Sequence, residues 1–281
     1  MADDRDFIVV RTGAGRALAA AGMPEKVLVR LLRDPEALLR RHFDRPVKLD
    51  HGSVIVEADL PFADGPVHVA LKQYRPRNRW KAFCGLLRRS RARRAWELAR
   101  TLVDRQIDTA RPLMMCEPRS RRRSYLATEW IAMAENLHLF GWRLADHPID
   151  ARLRSAARCA ASLGRLIGRM HARGIAHRDL KAANLLVVDR EHESPTYLID
   201  VDGARVGRRV TPRRRAADLA RLAAGLDAHP WVSRTVCCRF LRAYIAQFPS
   251  GTVPWKPLWH DIVVRRRRIV LAKRRRGRRV L

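Results

Sequence analysis

Two carboxylates, an amide and a lysine fall within the stretch His177-Arg178-Asp179-Leu180-Lys181-Ala182-Ala183-Asn184 and, a little further on, Tyr197-Leu198-Ile199-Asp200. Phosphoryl transfer needs these groups. A carboxylate stands beside the attacking hydroxyl, and oxygen ligands hold Mg²⁺ on the nucleotide phosphates. Asp179 fits the first role, and Asn184 and Asp200 fit the second. Lys181 stands where a lysine can contact a phosphate. The spacing His-Arg-Asp-Leu-x-x-x-Asn meets every fixed position of a phosphoryl-transfer loop. Polar residues that merely filled a turn after a helix would rarely meet six specified positions together.

The flanking residues read as the elements such a loop requires. Leu153, Ala156, Ala160, Leu163, Ile167 and Met170 recur at helical spacing, and Gly174 follows as a helix terminator. Leu185 to Val188 is a short apolar run suited to a buried strand, Asp189 to Pro195 a polar turn, and Tyr197 to Ile199 a second strand that delivers Asp200. Asp202 lies two residues further on. Packing of Ile199 inward favours Asp200 as the metal ligand, with Asp202 adding charge there or capping the turn.

Upstream, Val67 to Leu71 alternates as a strand and ends on Lys72, which is assigned to the nucleotide phosphates. Of the 58 basic residues, 7 are lysines and 51 are arginines. Lysine is a compact point charge suited to a single phosphate oxygen, whereas arginine is a planar fork. A chain that otherwise uses arginine keeps lysine at positions 72 and 181. Arg91 to Val103 reads as a helix whose only acidic residue, Glu97, is expected to anchor Lys72; the alternative is a surface glutamate answering Arg93 and Arg94. Pro112 to Cys116 and Ser124 to Ile131 read as paired strands around the arginine-rich turn 119–123. Glu129-Trp130-Ile131 is then the hinge, where the main chain of Glu129 and Ile131 reads an adenine edge. Glycine is sparse where a phosphate-covering loop is expected: only His51-Gly52-Ser53 offers a turn.

The chain resembles the lipopolysaccharide-kinase family, the Kdo and heptose kinases that share a protein-kinase-like fold. The resemblance is carried by Ala70-Leu71-Lys72-Gln73-Tyr74, by Arg89-Ser90-Arg91-Ala92 running into Trp96-Glu97, by His177-Arg178-Asp179, by Leu198 to Asp202, and by Asp218-Leu219 with Arg221-Leu222. It spans roughly residues 45 to 245. It implies an α+β, two-lobed fold with a small β-rich N-lobe and a mainly helical C-lobe, and the use of ATP and Mg²⁺. On this reading residues 1–44 are an N-terminal helical extension, with Pro24 and Pro35 near helix starts. Residues 45–131 are the N-lobe, 132–264 the C-lobe and 265–281 a basic tail.

Asp218, the expected anchor at the start of the next helix, follows Asp200 by only 18 residues, with no Ala-Pro-Glu between them. The intervening segment holds Arg205, Arg208, Arg209, Arg213, Arg214 and Arg215. A segment this short and basic suits an anionic glycan better than an extended peptide. The expected activity is phosphorylation of a hydroxyl on a glycan acceptor such as a lipopolysaccharide core sugar or related glycolipid; the alternatives are an atypical protein kinase and a small-molecule phosphotransferase.

Composition bounds the rest. A chain of 281 residues that is 47% hydrophobic can bury such a core. Its net charge of +30 favours phosphate-rich partners. Ten of the seventeen residues from Arg265 to Leu281 are basic, with Ile269 to Ala272 between two clusters. Such a tail can lie on an anionic membrane surface, bind nucleic acid or simply be solvated. No nucleic-acid motif accompanies it, so no specific nucleic-acid partner is expected. Five cysteines without zinc spacing, an acidic start and the lack of a ~20-residue apolar run point to a cytoplasmic protein, peripheral at most on the inner face of the cytoplasmic membrane.

Overall fold

The computed structural model describes residues 7–44, 46–50, 52–75, 89–119 and 123–275. Internal contacts divide the chain into two units, Met1–Gln106 with Ala110–Ile131, and Ile107–Thr109 with Ala132–Leu281.

The first unit is built on a seven-stranded antiparallel sheet. Its elements are β1 (Phe7–Thr12), β2 (Gly15–Ala20), α1 (Glu25–Arg33), α2 (Ala37–Arg41), β3 (Pro46–Asp50), β4 (Ser53–Phe62), β5 (Gly65–Tyr74), α3 (Arg91–Asp104), β6 (Pro112–Pro118) and β7 (Ser124–Glu129). The strand order is β1-β2-β6-β7-β5-β4-β3. Alternation sets the faces: Val54, Val56, Ala58 and Leu60 of β4 and Val69 and Leu71 of β5 are buried in one core with Leu28, Leu31 and Leu32 of α1. On α3, Ser90 caps the N-terminus by accepting the Arg93 amide at 3.0 Å, and Trp96 is buried edge-on to Phe7.

Residues 1–44 were expected to be helical, and this is corrected in part. Helices α1 and α2 do start just after Pro24 and Pro35, but residues 7–20 form a hairpin that extends the sheet through β2 and β6. An alanine-rich run looks helical by propensity. Here Ala17 and Ala19 alternate with outward residues and are fully buried, which is the period of a strand.

The second unit contains β8 (Ala134–Asn136), α4 (Leu137–Ala145), α5 (Ile149–Ala172), β9 (Ile175–His177), β10 (Leu185–Val188), β11 (Thr196–Leu198), β12 (Ala204–Val206), α6 (Pro212–Ala223), α7 (Arg234–Ile245) and α8 (Trp255–Arg275). Two small sheets, β11-β10-β8 and β12-β9, sit among the helices. The anticipated stripe on α5 is buried except at Leu153, which is 41% exposed near the helix start. Gly164 and Gly168 let α5 pack closely on α7: a Cβ at either would come within 2.6 Å of a carbonyl oxygen, that of Phe240 or of Tyr244. Gly174 takes φ 76° just past the helix end, the left-handed terminator its position predicted.

The basic tail is also redrawn. Residues 265–275 continue α8 without a break from Trp255, Ile262 and Val270 of that helix are buried, and Arg266 pairs with Asp227. Residues 276–281 lie outside the described residues. Among the described residues no helix is long and apolar enough to cross a membrane.

Candidate active site

In the second unit, α5 hands the chain to β9, which pairs antiparallel with β12 (Ala204 opposite His177). The ladder continues one step further, where the Arg178 amide donates to the Gly203 carbonyl at 2.9 Å. The segment His177 to Asn184 and the segment after Asp200 are thereby fixed to each other. His177 carries most of that fixation. Its backbone amide donates to Asp218 Oδ2 at 2.8 Å, and its Nε2 donates to the Asp200 carbonyl at 3.1 Å. Burial pushes its pKa down, so the ring is neutral with the proton on Nε2. Gly203 lies against that ring, and a Cβ there would approach its Cε1 to 2.8 Å.

Asp179 follows on the surface, its side chain 52% exposed and 3.0 Å from Lys181 Nζ. Asn184 is buried, and its Nδ2 donates to the Asp179 carbonyl at 2.9 Å, which turns Oδ1 the other way. The Asn184 carbonyl in turn accepts the Ile199 amide at 2.9 Å, so β10 and β11 hold Asn184 and Asp200 at neighbouring strand ends. Asp200 has φ 60° and ψ 62°, a left-handed conformation uncommon for a non-glycine residue. Such strain persists where the surroundings over-determine it, and it gathers at functional sites. Asp202 sits in the short helical turn Val201–Gly203 with ordinary backbone.

Asp218, completely buried on α6, is the hub beneath the loop. Besides the His177 amide it meets Arg214 Nε at 3.1 Å, an ion pair without hydrogen-bond alignment. His171 Nε2 stands 3.5 Å from its Oδ2, and His171 Nδ1 meets the Tyr244 hydroxyl at 2.9 Å. Burial lowers the His171 pKa against the pull of Asp218 and raises that of Tyr244. Sequence reasoning found Asp218 and missed His171 and Tyr244, whose apolar surroundings conceal them. It also missed the strap Ile107–Thr109, where the Leu198 amide donates to the Asp108 carbonyl at 2.9 Å and Thr109 Oγ1 donates to the Leu198 carbonyl at 2.6 Å.

In the first unit, Lys72 lies on β5 opposite Ile55 of β4 and Leu126 of β7, with Nζ 4.9 Å from the Tyr74 ring centroid. The expected Lys72–Glu97 pair is not formed. Glu97 Oε2 is held by Arg89 Nη1 at 2.9 Å and Oε1 by Arg93 Nε at 3.1 Å. The reason is local: Arg93 stands one helical turn before Glu97 on α3, the favoured spacing for an ion pair. At the hinge, Arg111 grips the Glu129 carboxylate through Nε at 2.8 Å and Nη2 at 3.3 Å. The Glu129 amide donates to the Arg111 carbonyl and the Trp130 amide to that of His68, which leaves the Ile131 amide as the next donor along the segment. Gly52 accepts bonds from the Arg75 amide and Arg91 Nη1, while His51 of the proposed phosphate turn lies outside the described residues.

Residues 61–244 match the family model described as the lipopolysaccharide kinase (Kdo/WaaP) family. A 3-deoxy-D-manno-octulosonic acid kinase of Xanthomonas campestris pv. campestris (strain B100) is 32% identical over 194 residues, 65% of this chain and 70% of that protein. Its counterparts in strains 8004 and ATCC 33913 match to the same extent. Among solved structures, WaaP in complex with acyl carrier protein aligns with a TM-score of 0.60 at 22% identity, over 89% of this chain and 97% of that one. At that identity the likeness is one of fold, an α+β arrangement with a β-sheet part and a helical part.

Proposed function

The chain belongs to the lipopolysaccharide kinase (Kdo/WaaP) family, and from that premise we propose that Asp179 receives the proton of a lipopolysaccharide core-sugar hydroxyl as it attacks the γ-phosphorus of ATP. The protein is an ATP-dependent phosphotransferase with a sugar hydroxyl as acceptor. The observation that best supports this assignment of roles is the double anchorage of His177, to Asp218 through its amide and to Asp200 through its ring. It holds the loop of Asp179 in a fixed relation to the strand end of Asp200.

The donor set suits Mg²⁺. Asn184 commits its Nδ2 to the Asp179 carbonyl and so keeps Oδ1, a hard oxygen, for a cation; the Asp200 carboxylate supplies a second. Among the described residues no cluster of three or more His, Cys, Asp or Glu could hold a metal, which fits a site that nucleotide phosphates complete. When bound, the ion offsets charge on those phosphates. The strained backbone at Asp200 favours it over Asp202 as the ligand. Lys181, 3.0 Å from Asp179, stabilises charge on the transferred group and Lys72 holds a nucleotide phosphate. The main chain of Glu129 and Ile131 reads the adenine. Glu97 acts through arginines and not through Lys72.

Phosphoryl transfer from labelled ATP to a purified lipopolysaccharide core acceptor tests the reading. Asp179→Asn should keep nucleotide binding and lose transfer, whereas Asp200→Asn should also weaken Mg²⁺-dependent nucleotide binding. Transfer by Asp179→Asn near the wild-type rate would remove Asp179 from the role.

Two partners follow. The outward side of α8 presents exposed Arg267, Arg268, Arg274 and Arg275 around Leu271, a face suited to an anionic membrane that carries the glycolipid. Separately, the helical unit has a partly open apolar cavity of about 210 Å³ lined by Phe140, Leu163, Leu219, Phe240 and Ile262, with Arg266 as its one formal charge. It exceeds the ~150 Å³ cavity known to admit benzene. Since the structural relative is bound to acyl carrier protein, this cavity favours an acylated carrier protein as a partner here too. A rise in Tm with acylated but not with non-acylated carrier protein is expected; equal shifts would refute use of the cavity.

A further inference from the structure

We propose that His68, held as an imidazolium between Glu57 and Asp59, is a positioning residue that sets the hinge segment for the base of the nucleotide. The proposal rests on the reading of Glu129 and Ile131 as the main chain that meets adenine, and deepens it.

The β4–β5 register brings the three side chains together. Asp59 stands opposite His68, Glu57 opposite Ala70 and Ile55 opposite Lys72, and the pairing runs from Ser53 to Phe62 without a shift. Val54, Val56, Ala58, Val69 and Leu71 are buried in the core on one side of these strands. His68, Ala70 and Lys72 therefore share the other side. On that face Lys72 marks the phosphate end and His68 the hinge end, because the Trp130 amide donates to the His68 carbonyl at 3.1 Å. The two rings also meet edge to face, with centroids 5.4 Å apart. Trp130 is thus tied to His68 through main chain and side chain, and the Ile131 amide, next along the segment, takes its place from that tie.

Both ring nitrogens of His68 face acids. Nδ1 lies 2.8 Å from Asp59 Oδ1, and Nε2 lies 2.8 Å from Glu57 Oε1. A carboxylate only accepts, and a neutral imidazole donates from one nitrogen, so both contacts together require the doubly protonated ring. The same acids raise the His68 pKa, the Asp59 hydrogen bond being the largest cause, while burial opposes them. Within Glu129–Ile131 the charge is carried by Glu129, which Arg111 already grips.

An arginine at position 68 would keep its charge at any working pH, whereas an imidazolium gives its proton up near neutrality. Loss of that proton removes one of the two hydrogen bonds and leaves two carboxylates answered by a neutral ring. The tie is therefore complete below the ordinary histidine pKa of about 6.5 and is lost as pH rises through the raised value. Binding of the base should weaken with it. The chemical step should not, because Asp179, Asn184 and Asp200 belong to other elements.

The test measures KM for ATP and kcat on the full chain from about pH 6 to about pH 9, across the histidine range. Wild-type KM should be lowest on the acid side and rise about threefold as His68 loses its proton, the scale of a half-exposed charged contact. His68→Gln should show the raised KM at every pH and His68→Arg the low one, with kcat keeping one pH profile in all three. Titration of ATP itself is common to them, so the ratios between variants report His68. Asp59→Asn should move the wild-type midpoint to lower pH, and Glu57→Gln should move it less. A ratio of His68→Gln to wild type that stays constant with pH, or an arginine variant that behaves like glutamine, would overturn the proposal; a constant ratio with a lowered Tm would mark an ordinary structural role. Ile131→Pro removes the amide assigned to adenine and should raise KM for ATP about tenfold at every pH. If it does not, the hinge reading fails and the role of His68 with it; if it does while the ratios stay flat, only the role of His68 fails.

Discussion

Replacing Asp218 by asparagine isolates what the buried charge under the catalytic loop contributes. Asp218 is fully buried, accepts the His177 amide at 2.8 Å and lies 3.1 Å from Arg214 Nε. Asparagine keeps an oxygen for the amide and removes the charge. Losing one partner of a buried ion pair costs about 3–5 kcal/mol, chiefly because the other charge is stranded. Arg214, however, is 33% exposed and can turn toward water, so the cost should be about half, roughly 2 kcal/mol. For a chain of this size that lowers Tm by about 4–8 °C. Asp218→Ala additionally leaves the buried His177 amide without an acceptor, a further ~1–3 kcal/mol, and should melt lower still. Thermal unfolding followed by circular dichroism, with turnover measured well below the transition, separates the two effects. The asparagine variant should lose kcat more than ATP affinity, because the displaced group is the loop that carries Asp179. Asp179→Asn serves as the control, being exposed and therefore neutral for Tm while abolishing transfer. If Asp218→Asn melts with the wild type, or if alanine proves no worse than asparagine, the anchor does not act as described.

Other substitutions discriminate further. Asp200→Asn should weaken Mg²⁺-dependent nucleotide binding by more than tenfold and Asp202→Asn by only about twofold, as titration with a fluorescent nucleotide will show; the reverse order would assign the metal to Asp202. Lys72→Arg should reduce kcat/KM for ATP at least tenfold despite the retained charge, while Glu97→Gln, which disturbs only exposed arginine pairs, should leave it within about threefold. Burial depresses the pKa of His138, His171, His177 and His229 in the folded state. Each then contributes stability that is full above the ordinary histidine pKa of about 6.5 and declines as pH falls below it, so Tm should drop between pH 6.5 and 5. His68, whose pKa is raised by Asp59, works in the opposite sense, its contribution fading as pH rises above 6.5; a Tm that is flat or rising on acidification would contradict the buried set. Arg267, Arg268, Arg274 and Arg275 changed together to glutamine should cut binding to vesicles with anionic lipid at low salt and spare ATP affinity. Removing residues 265–281 should instead lower Tm, because it deletes buried Val270 and the Arg266–Asp227 pair.

The placement of the loop from His177 to Asn184 between a helix and a strand, and of Asp200 at the next strand end, was legible in the sequence because the pattern is local. Asp179, Lys181, Asn184 and Asp200 lie within 22 residues, and phosphoryl transfer tolerates few spacings between them. The helix before the loop and the strands around it were readable for the same reason, since a hydrophobic period needs only neighbours. Tertiary structure decided whatever depends on residues that meet from afar. The hairpin of residues 7–20 is a strand pair because β6, about a hundred residues later, offers it an edge, and alanine propensity does not report that edge. Glu97 was matched to Lys72 by a plausible distance along the chain, yet arginines 4 and 8 residues away reach it instead. The basic tail became the second half of a docked helix once Ile262 and Val270 found α6 to cover them. Arg205 comes to stand opposite Ala176, three residues before Asp179, only because β9 pairs with β12 in one register. Sequence spacing conveys what a residue can do to its neighbours in the chain; burial and strand pairing decide which other residues become its neighbours, and those depend on the free energy of the whole packed unit.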